Sequence, residues 1–387
     1  MADRRTVLRR RRALAACAAV ALVAGVLAAA WTGGDDDDGE RASTPPPANT
    51  VVPPAAAPPE ERDAPAPVDR LTLRQRVGQL IVLRFDGTSP PAYAREVLRE
   101  RRAAGVILFR DNVATPGQTR ALTGALRRAG GRPLVAVDQE GGEIRIVPWA
   151  PPDASQGEQA ADGTVRADAR ASATALRGLG ITVSLAPVAD VPTVTGAALG
   201  GRAFASDPGE AEAALRDAVA GWRAGGVAAT VKHFPGLGGA TVNTDDGPAT
   251  IDRSRAQLEA VDLPPFAAAI DAGVPLVMVG HARYPALDRD RIASQSQPVI
   301  EGVLRDELGF RGVVVTDSME AAASLATGSI SATSERAVRA GADLLLLTGK
   351  GSYAPVYQHL LALAQRSPSF RARVRESAAR VLALTAR

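Results

Sequence analysis

Eight short apolar runs, each followed by a longer amphipathic stretch, constrain this 387-residue chain more than anything else in it. The runs are Gly78–Leu83, Gly105–Phe109, Pro133–Val137, Ile181–Leu185, Val227–Val231, Leu276–Val279, Gly312–Thr316 and Asp343–Leu347. They are mostly continuous rather than alternating, the pattern of parallel strands buried on both faces. Helical spacing fills the intervals, as in 115–128, 161–178, 209–224, 254–272, 298–307 and 334–340. Several of these stretches open near Ser, Thr or Asp and close near Gly, as caps require. Thr115-Pro116 sets proline at the first helical position. Eight strand–helix units predict an α/β fold, a single (β/α)8 TIM-type barrel over 69–387. An open doubly wound sheet is the alternative, but no G-x-G-x-x-G follows a strand, so a dinucleotide fold lacks its main mark.

What precedes the barrel is different in kind. Residues 13–31 are uncharged and apolar, with Arg4, Arg5 and Arg9 to Arg12 before them and Asp35 to Asp38 behind. Such a run can just span a bilayer, and the arginines predict the N-terminus inside. A cleaved signal peptide ending near Ala30 is the rival reading of 1–31. Residues 32–68 are rich in Pro and Ala, contain no aromatic side chain beyond the apolar run, and cannot bury enough surface to order, so they read as a disordered linker. The expectation is an exported protein, secreted or held to a membrane by an uncleaved leader, and a monomer. The only cysteine, Cys17, lies in the leader, so no disulfide is built. The net charge of +3 turns slightly acidic without the leader arginines, so no nucleic-acid partner is expected.

In a barrel of this type, functional side chains stand just past the C-terminal ends of the strands. Five polar positions do so here: Asp138, Asp190, Lys232-His233, His281 and Asp317. Taken singly, Asp190 or Asp317 is as readily a helix cap. A strand-end lysine such as Lys232 can also form a Schiff base, as in aldolases, but no phosphate-binding segment accompanies it. The three histidines show no ligand spacing, so neither metal nor cofactor is expected.

Three ordered motifs carry a resemblance. Lys-His-Phe-Pro-Gly-x-Gly at 232–238, Val-Asp-Gln-Glu-Gly-Gly at 137–142 and Val-Val-Thr-Asp-Ser-Met-Glu at 314–320 resemble glycoside hydrolase family 3, more closely its single-domain β-N-acetylglucosaminidase branch. The likeness runs from about Leu71 to the C-terminus. It implies a retaining glycosidase acting on terminal β-linked N-acetylglucosamine or a related β-glycoside of cell-wall saccharide. It makes Asp317 the nucleophile, and places Asp138, Arg202, Lys232 and His233 around the sugar hydroxyls. Arg145 is expected at the same loop, as a sugar contact or a brace, and His281 at the pocket wall or packed behind it.

One loop departs from the family pattern. There the motif continues Gly-His-Gly and then Asp-Ser-His, whose Asp–His pair supplies the acid/base. Here Leu237 holds the first histidine position, and Asn243-Thr244-Asp245 replaces Asp-Ser-His, with Asp246 next. Asp245 is the expected acid/base and Asp246 the nearby substitute, since retaining glycosidases ordinarily use two carboxyl groups. An acid drawn from elsewhere, and a sugar-binding domain without turnover, are the other readings. Loop 236–248 is expected to be mobile and to close over bound sugar.

Overall fold

The computed structural model describes residues 66–130 and 132–386. The expected leader 1–31 and the linker as far as Pro65 lie outside the described residues. The folded part takes in the last linker positions: Pro67–Arg70 form a short 3-10 turn that buries Val68.

Eight parallel strands close into a barrel in simple chain order. We number them β1 (Ile81–Arg84), β2 (Gly105–Ile107), β3 (Leu134–Val137), β4 (Val183–Ser184), β5 (Ala228–Phe234), β6 (Leu276–Val279), β7 (Val313–Ser318) and β8 (Leu344–Leu347). The registers Val82↔Gly105 at one join and Ile81↔Leu345 at the other leave no free edge. The doubly wound alternative is thereby excluded.

The continuous apolar runs follow from this closure. Alternate residues of each strand serve two cores. Val82, Ile107, Leu134, Ala136, Val183, Leu276, Met278, Val313, Val315, Leu344 and Leu346 fill the barrel interior. Their neighbours Ile81, Leu83, Val106, Val135, Val137, Val231, Val277, Val279, Val314 and Leu345 face the surrounding helices. Val381 and Leu384 of the last helix, Pro368–Thr385, join the interior set. Helix starts are set by side chains: Thr72 with Gln75, Ser155 with Glu158 and Ser254 with Gln257 form capping boxes. Asp207 accepts the amides of Gly209 and Glu210 ahead of Pro208–Gly225, which ends on left-handed Gly226.

Two strands run farther than their apolar runs predict, and both carry chemistry. β5 continues through Lys232 and His233, and β7 through Asp317 and Ser318. Each has a register shift against its neighbour at that point. Phe234 turns toward the surrounding helices and meets the Phe266 ring edge-on at 5.1 Å, which anchors the end of β5. Among the described residues no helix is long and apolar enough to cross a membrane, and the apolar run 13–31 is not among them.

Candidate active site

Asp138 is the first residue beyond β3, and a tight hairpin follows it, Gln139–Gly141 with Ile144–Arg145. Fully buried Gln139 donates to the carbonyls of Val147, Ala150 and Pro151 at 3.0–3.2 Å and accepts the Val147 amide at 3.0 Å. That anchorage fixes Glu140, whose side chain is 2% exposed. Lys232 Nζ reaches both Asp138 Oδ1 and Glu140 Oε1 at 2.6 Å. Arg202 forks onto Glu140, Nε to Oε2 at 2.8 Å and Nη2 to Oε1 at 2.6 Å. The Arg202 carbonyl is held in turn by Gln156 Nε2 at 2.8 Å.

This is a closed group of two acids and two bases. Lys232 and Glu140 sit at its back, each 2% exposed, while Asp138 and Arg202 keep 22% and 25% of their side chains accessible. Lys232 has three N–H donors and uses two, so one remains for a ligand oxygen. Burial works to raise the Glu140 carboxyl, but the charges and hydrogen bonds of Lys232 and Arg202 overcome it and hold it at about 2. Burial likewise opposes the Lys232 charge, and Asp138 and Glu140 more than restore it, so its pKa is raised. Glu140 and Lys232 are therefore both held in their charged forms, with donors and acceptors arranged as vicinal hydroxyls require. Glu140 stands inside a quoted motif, yet sequence reasoning gave it no role. The signal available was its place two residues past a strand end.

His233 follows Lys232 on β5. Its Nδ1 lies 2.7 Å from Asp190 Oδ2, so Nδ1–H donates to the carboxylate and Nε2 is the nitrogen left for a ligand. Asp190 Oδ1 also accepts the amides of His233 (3.2 Å) and Leu237 (2.6 Å). Asp190 thus orients the histidine and ties down the start of the following loop, a role that its strand-end position alone did not disclose.

On the facing side Asp317 lies near the end of β7, and one of its oxygens accepts the Ser318 amide at 2.8 Å. Burial pushes its carboxyl up; His233, His281, the Ser318 amide and Lys232 push harder the other way, and the net shift is downward. His281 is fully buried, with Nδ1 2.7 Å from Ser294 Oγ and Nε2 2.8 Å from the Ser318 carbonyl. A carbonyl only accepts, so Nε2 donates to it, and Nδ1 is engaged by the Ser294 hydroxyl. Both nitrogens are taken by protein, and the ring braces the chain behind Asp317 rather than meeting a sugar. Its expected places were the pocket wall or the packing behind it, and a direct sugar contact has no free nitrogen to make it. Arg145, expected as a sugar contact or a brace, has a protein partner as well. Its guanidinium pairs with Asp153, so it braces the hairpin against the 150s loop.

The loop with the altered sequence lies over this arrangement. Leu237, the substitute for the family histidine, is 1% exposed and packs in the core. The loop is stitched on both sides by main-chain bonds: Ala198 N to Ala240 O (2.8 Å), Ala322 N to Asp245 O (3.1 Å) and Ala323 N to Thr244 O (3.1 Å). Asn243 Oδ1 accepts the Asp245 amide at 3.1 Å, an Asx turn that fixes where Asp245 sits. Burial raises the Asp245 carboxyl, and the charge of Asp317 raises it further, against His233, His281 and Arg202. The two carboxyls are therefore neighbours held in opposite directions. Asp245 and Asp246 are both exposed to solvent in the open site, and Asp246 closes the same turn by donating its amide to Asn243 O at 3.0 Å.

Trp149, 38% exposed, stands beyond the hairpin after β3. His359 pairs with Glu335 on the outer helices, away from the strand ends. A cavity of about 540 Å³ opens at the opposite end of the barrel, lined by Leu134, Val183, Ala228 and Leu384. It contains none of the residues above, and the chemistry lies with the strand ends instead. Among the described residues no group of His, Cys, Asp or Glu is arranged to hold a metal.

A parallel barrel with a buried ionic group opposite two differently held carboxyls belongs to the glycosidase class of α/β barrels. The chain belongs to glycoside hydrolase family 3: its residues 72–384 match the glycosyl hydrolase family 3 N-terminal domain. A β-hexosaminidase of Xanthomonas oryzae pv. oryzae is 36% identical over 279 residues, 69% of this chain and 83% of that one. Among solved structures, the β-N-acetylhexosaminidase of Beutenbergia cavernae superposes with a TM-score of 0.76 at 34% identity, covering 82% of this chain and 99% of that one. The family 3 β-N-acetylglucosaminidase of a Paenibacillus species gives 0.75 at 33%, covering 81% of this chain and 62% of that longer one.

Proposed function

We propose that the barrel is an O-glycoside hydrolase that releases terminal β-linked N-acetylglucosamine with retention of configuration, using Asp317 as nucleophile and Asp245 as acid/base. The reading is carried by the juxtaposition of Asp317 with the loop bearing Asp245, which is hydrogen-bonded to the segment five residues past the nucleophile. The family and the names of the relatives support the sugar.

In the first step an Asp317 oxygen attacks the anomeric carbon. The glycosidic oxygen leaves and takes the Asp245 proton, and a glycosyl ester forms on Asp317. In the second step Asp245, now a carboxylate, takes a proton from water. The water oxygen attacks the same carbon, and Asp317 departs. Asp138, Arg202, Lys232 and His233 bind the sugar hydroxyls, the ionised group doing so through charge-assisted bonds. Glu140 holds Lys232 and Arg202 in place.

The natural setting belongs to the same proposal. The apolar run 13–31 behind an arginine cluster supports export, with the barrel secreted or membrane-tethered as a monomer acting on cell-wall saccharide.

Single-turnover kinetics of the full chain with an activated aryl β-N-acetylglucosaminide test this. A burst that Asp317→Asn abolishes, with the β-anomer as first product by NMR, is expected. An inverted product refutes the retaining route, and binding without turnover in the wild type refutes catalysis.

A further inference from the structure

The acid loop leaves β5 through Pro235-Gly-Leu-Gly-Gly239, and the contacts that pin this root come from residues outside the site described above. Arg253 reaches in from beyond the loop's far end. Its guanidinium donates to Asp262 Oδ2 and to Thr193 Oγ1. It also lies against Gly239, where a Cβ would stand 3.3 Å from it. Thr193 donates its own amide to Gly238 O at 3.4 Å. From another side Tyr284, 1% exposed, donates its hydroxyl to Gly236 O at 2.8 Å.

Asp262 is buried under the same root, with its side chain fully enclosed. Its second oxygen, Oδ1, has no hydrogen-bond partner among the described residues and faces Gly236, where a Cβ would come within 2.7 Å of it. Gly236 has φ 127°, so backbone conformation and contact both call for glycine. Gly238 is gripped opposite, its absent Cβ 2.0 Å from Val191 O.

We propose that Arg253, Asp262 and Tyr284 form a latch on the root of the acid loop, with Arg253 the positioning residue that sets Asp245 against Asp317. This rests on the acid/base reading of Asp245. The latch joins three segments: the loop after β4 through Thr193, the acid loop through Gly236 to Gly239, and the helical turn Leu258–Asp262. Only a planar guanidinium fork reaches two of these at once; an ammonium serves as a single point. The helical run that contains Asp262 is already seated by Leu258, Leu263 and Phe266 in the core. The Arg253 contacts therefore add little to that seating and much to the loop. A small swing at Gly236 carries to Asp245, nine positions on, and a displacement of about 1 Å is enough to cost about 10²-fold in rate.

The test is a leaving-group series of aryl β-N-acetylglucosaminides, from dinitrophenyl to unsubstituted phenyl, on the full-length wild type, Arg253→Ala, Tyr284→Phe and Asp245→Asn. Loss of acid catalysis slows poor leaving groups and spares good ones. Arg253→Ala should slow the phenyl glycoside about 10²-fold and the dinitrophenyl glycoside less than about 3-fold, the pattern of Asp245→Asn. Tyr284→Phe keeps the core volume, loses only the bond to Gly236, and should show the same pattern at about 3- to 10-fold. It also stands in if Arg253→Ala does not fold. Uniform losses across the series in both latch variants, with a leaving-group effect in Asp245→Asn, overturn the latch alone. No leaving-group effect in Asp245→Asn overturns the acid assignment first and the latch with it.

Discussion

Glu140→Gln isolates the electrostatics of the sugar-binding group. Glu140 accepts Lys232 at 2.6 Å and both arms of Arg202 at 2.6 and 2.8 Å, with its side chain 2% exposed. Glutamine preserves the shape but removes the charge, leaving Asp138 alone against the Lys232 and Arg202 cations. Those cations hold the carboxyl at about 2 instead of 4.5. At about 1.4 kcal/mol per pH unit that fall corresponds to about 3 kcal/mol of stability. Breaking a buried pair from one side typically costs about 3–5 kcal/mol, which agrees. The folded value lies below the unfolded one, so the contribution is complete above pH 4.5 and is lost as pH falls from 4.5 toward 2. Urea unfolding of wild type and variant across this range should show a gap of about 3 kcal/mol at pH 7 that closes on acidification. A gap below about 0.5 kcal/mol at pH 7, or one that does not shrink with acid, would refute the reasoning.

Three further outcomes are expected. The pH profile of kcat/KM should be bell-shaped: activity falls at low pH as Asp317, held below its usual range, takes a proton, and at high pH as Asp245, held above its own, loses one. Asp245→Asn should remove the high-pH limb while keeping the low-pH limb. Asp343→Ala should cost about 3–5 kcal/mol in chemical unfolding with kcat unchanged at permissive temperature, because fully buried Asp343 holds Arg305, Arg373 and Arg380 at 2.7, 2.8 and 3.0 Å, just before β8 begins and so at the end of the barrel away from the site. Gly238→Ala should lower both stability, by about 1–3 kcal/mol, and activity, because its Cβ meets Val191 O at 2.0 Å and only a backbone shift relieves the overlap.

The barrel was legible in the chain because closure buries both faces of every strand, and that leaves eight continuous apolar runs. Where strands end was less legible. Lys232, His233 and Asp317 read as residues beyond the strands, yet β5 and β7 continue through them. Polar side chains break the apolar run, but the ladder continues, because neighbouring strands and not side-chain polarity supply its partners. The nucleophile and the sugar-binding quartet were named from motifs, whereas Glu140, Asp190 and the Arg253 latch were not. Each of these acts through a partner distant in sequence, with separations of 62, 43 and 60 residues to Arg202, His233 and Thr193, and no local spacing records such a pairing.

His281 and Arg145 show the converse. Both stand at strand ends or on the mouth hairpin, where residue type and position left a place at the sugar and a place behind it equally open. Only packing reveals that Ser294 and the Ser318 carbonyl occupy the histidine and that Asp153 occupies the arginine. By itself the sequence determined the repeating strand–helix order, the family motifs and the replacement of the loop histidine by Asp245. These depend on residue type and order, which the chain carries directly. The tertiary structure alone decided which polar groups are free and which are already paired, and which carboxyl is held low and which high. Those properties depend on desolvation and on charges a few ångströms away, and both exist only once distant segments have been brought together.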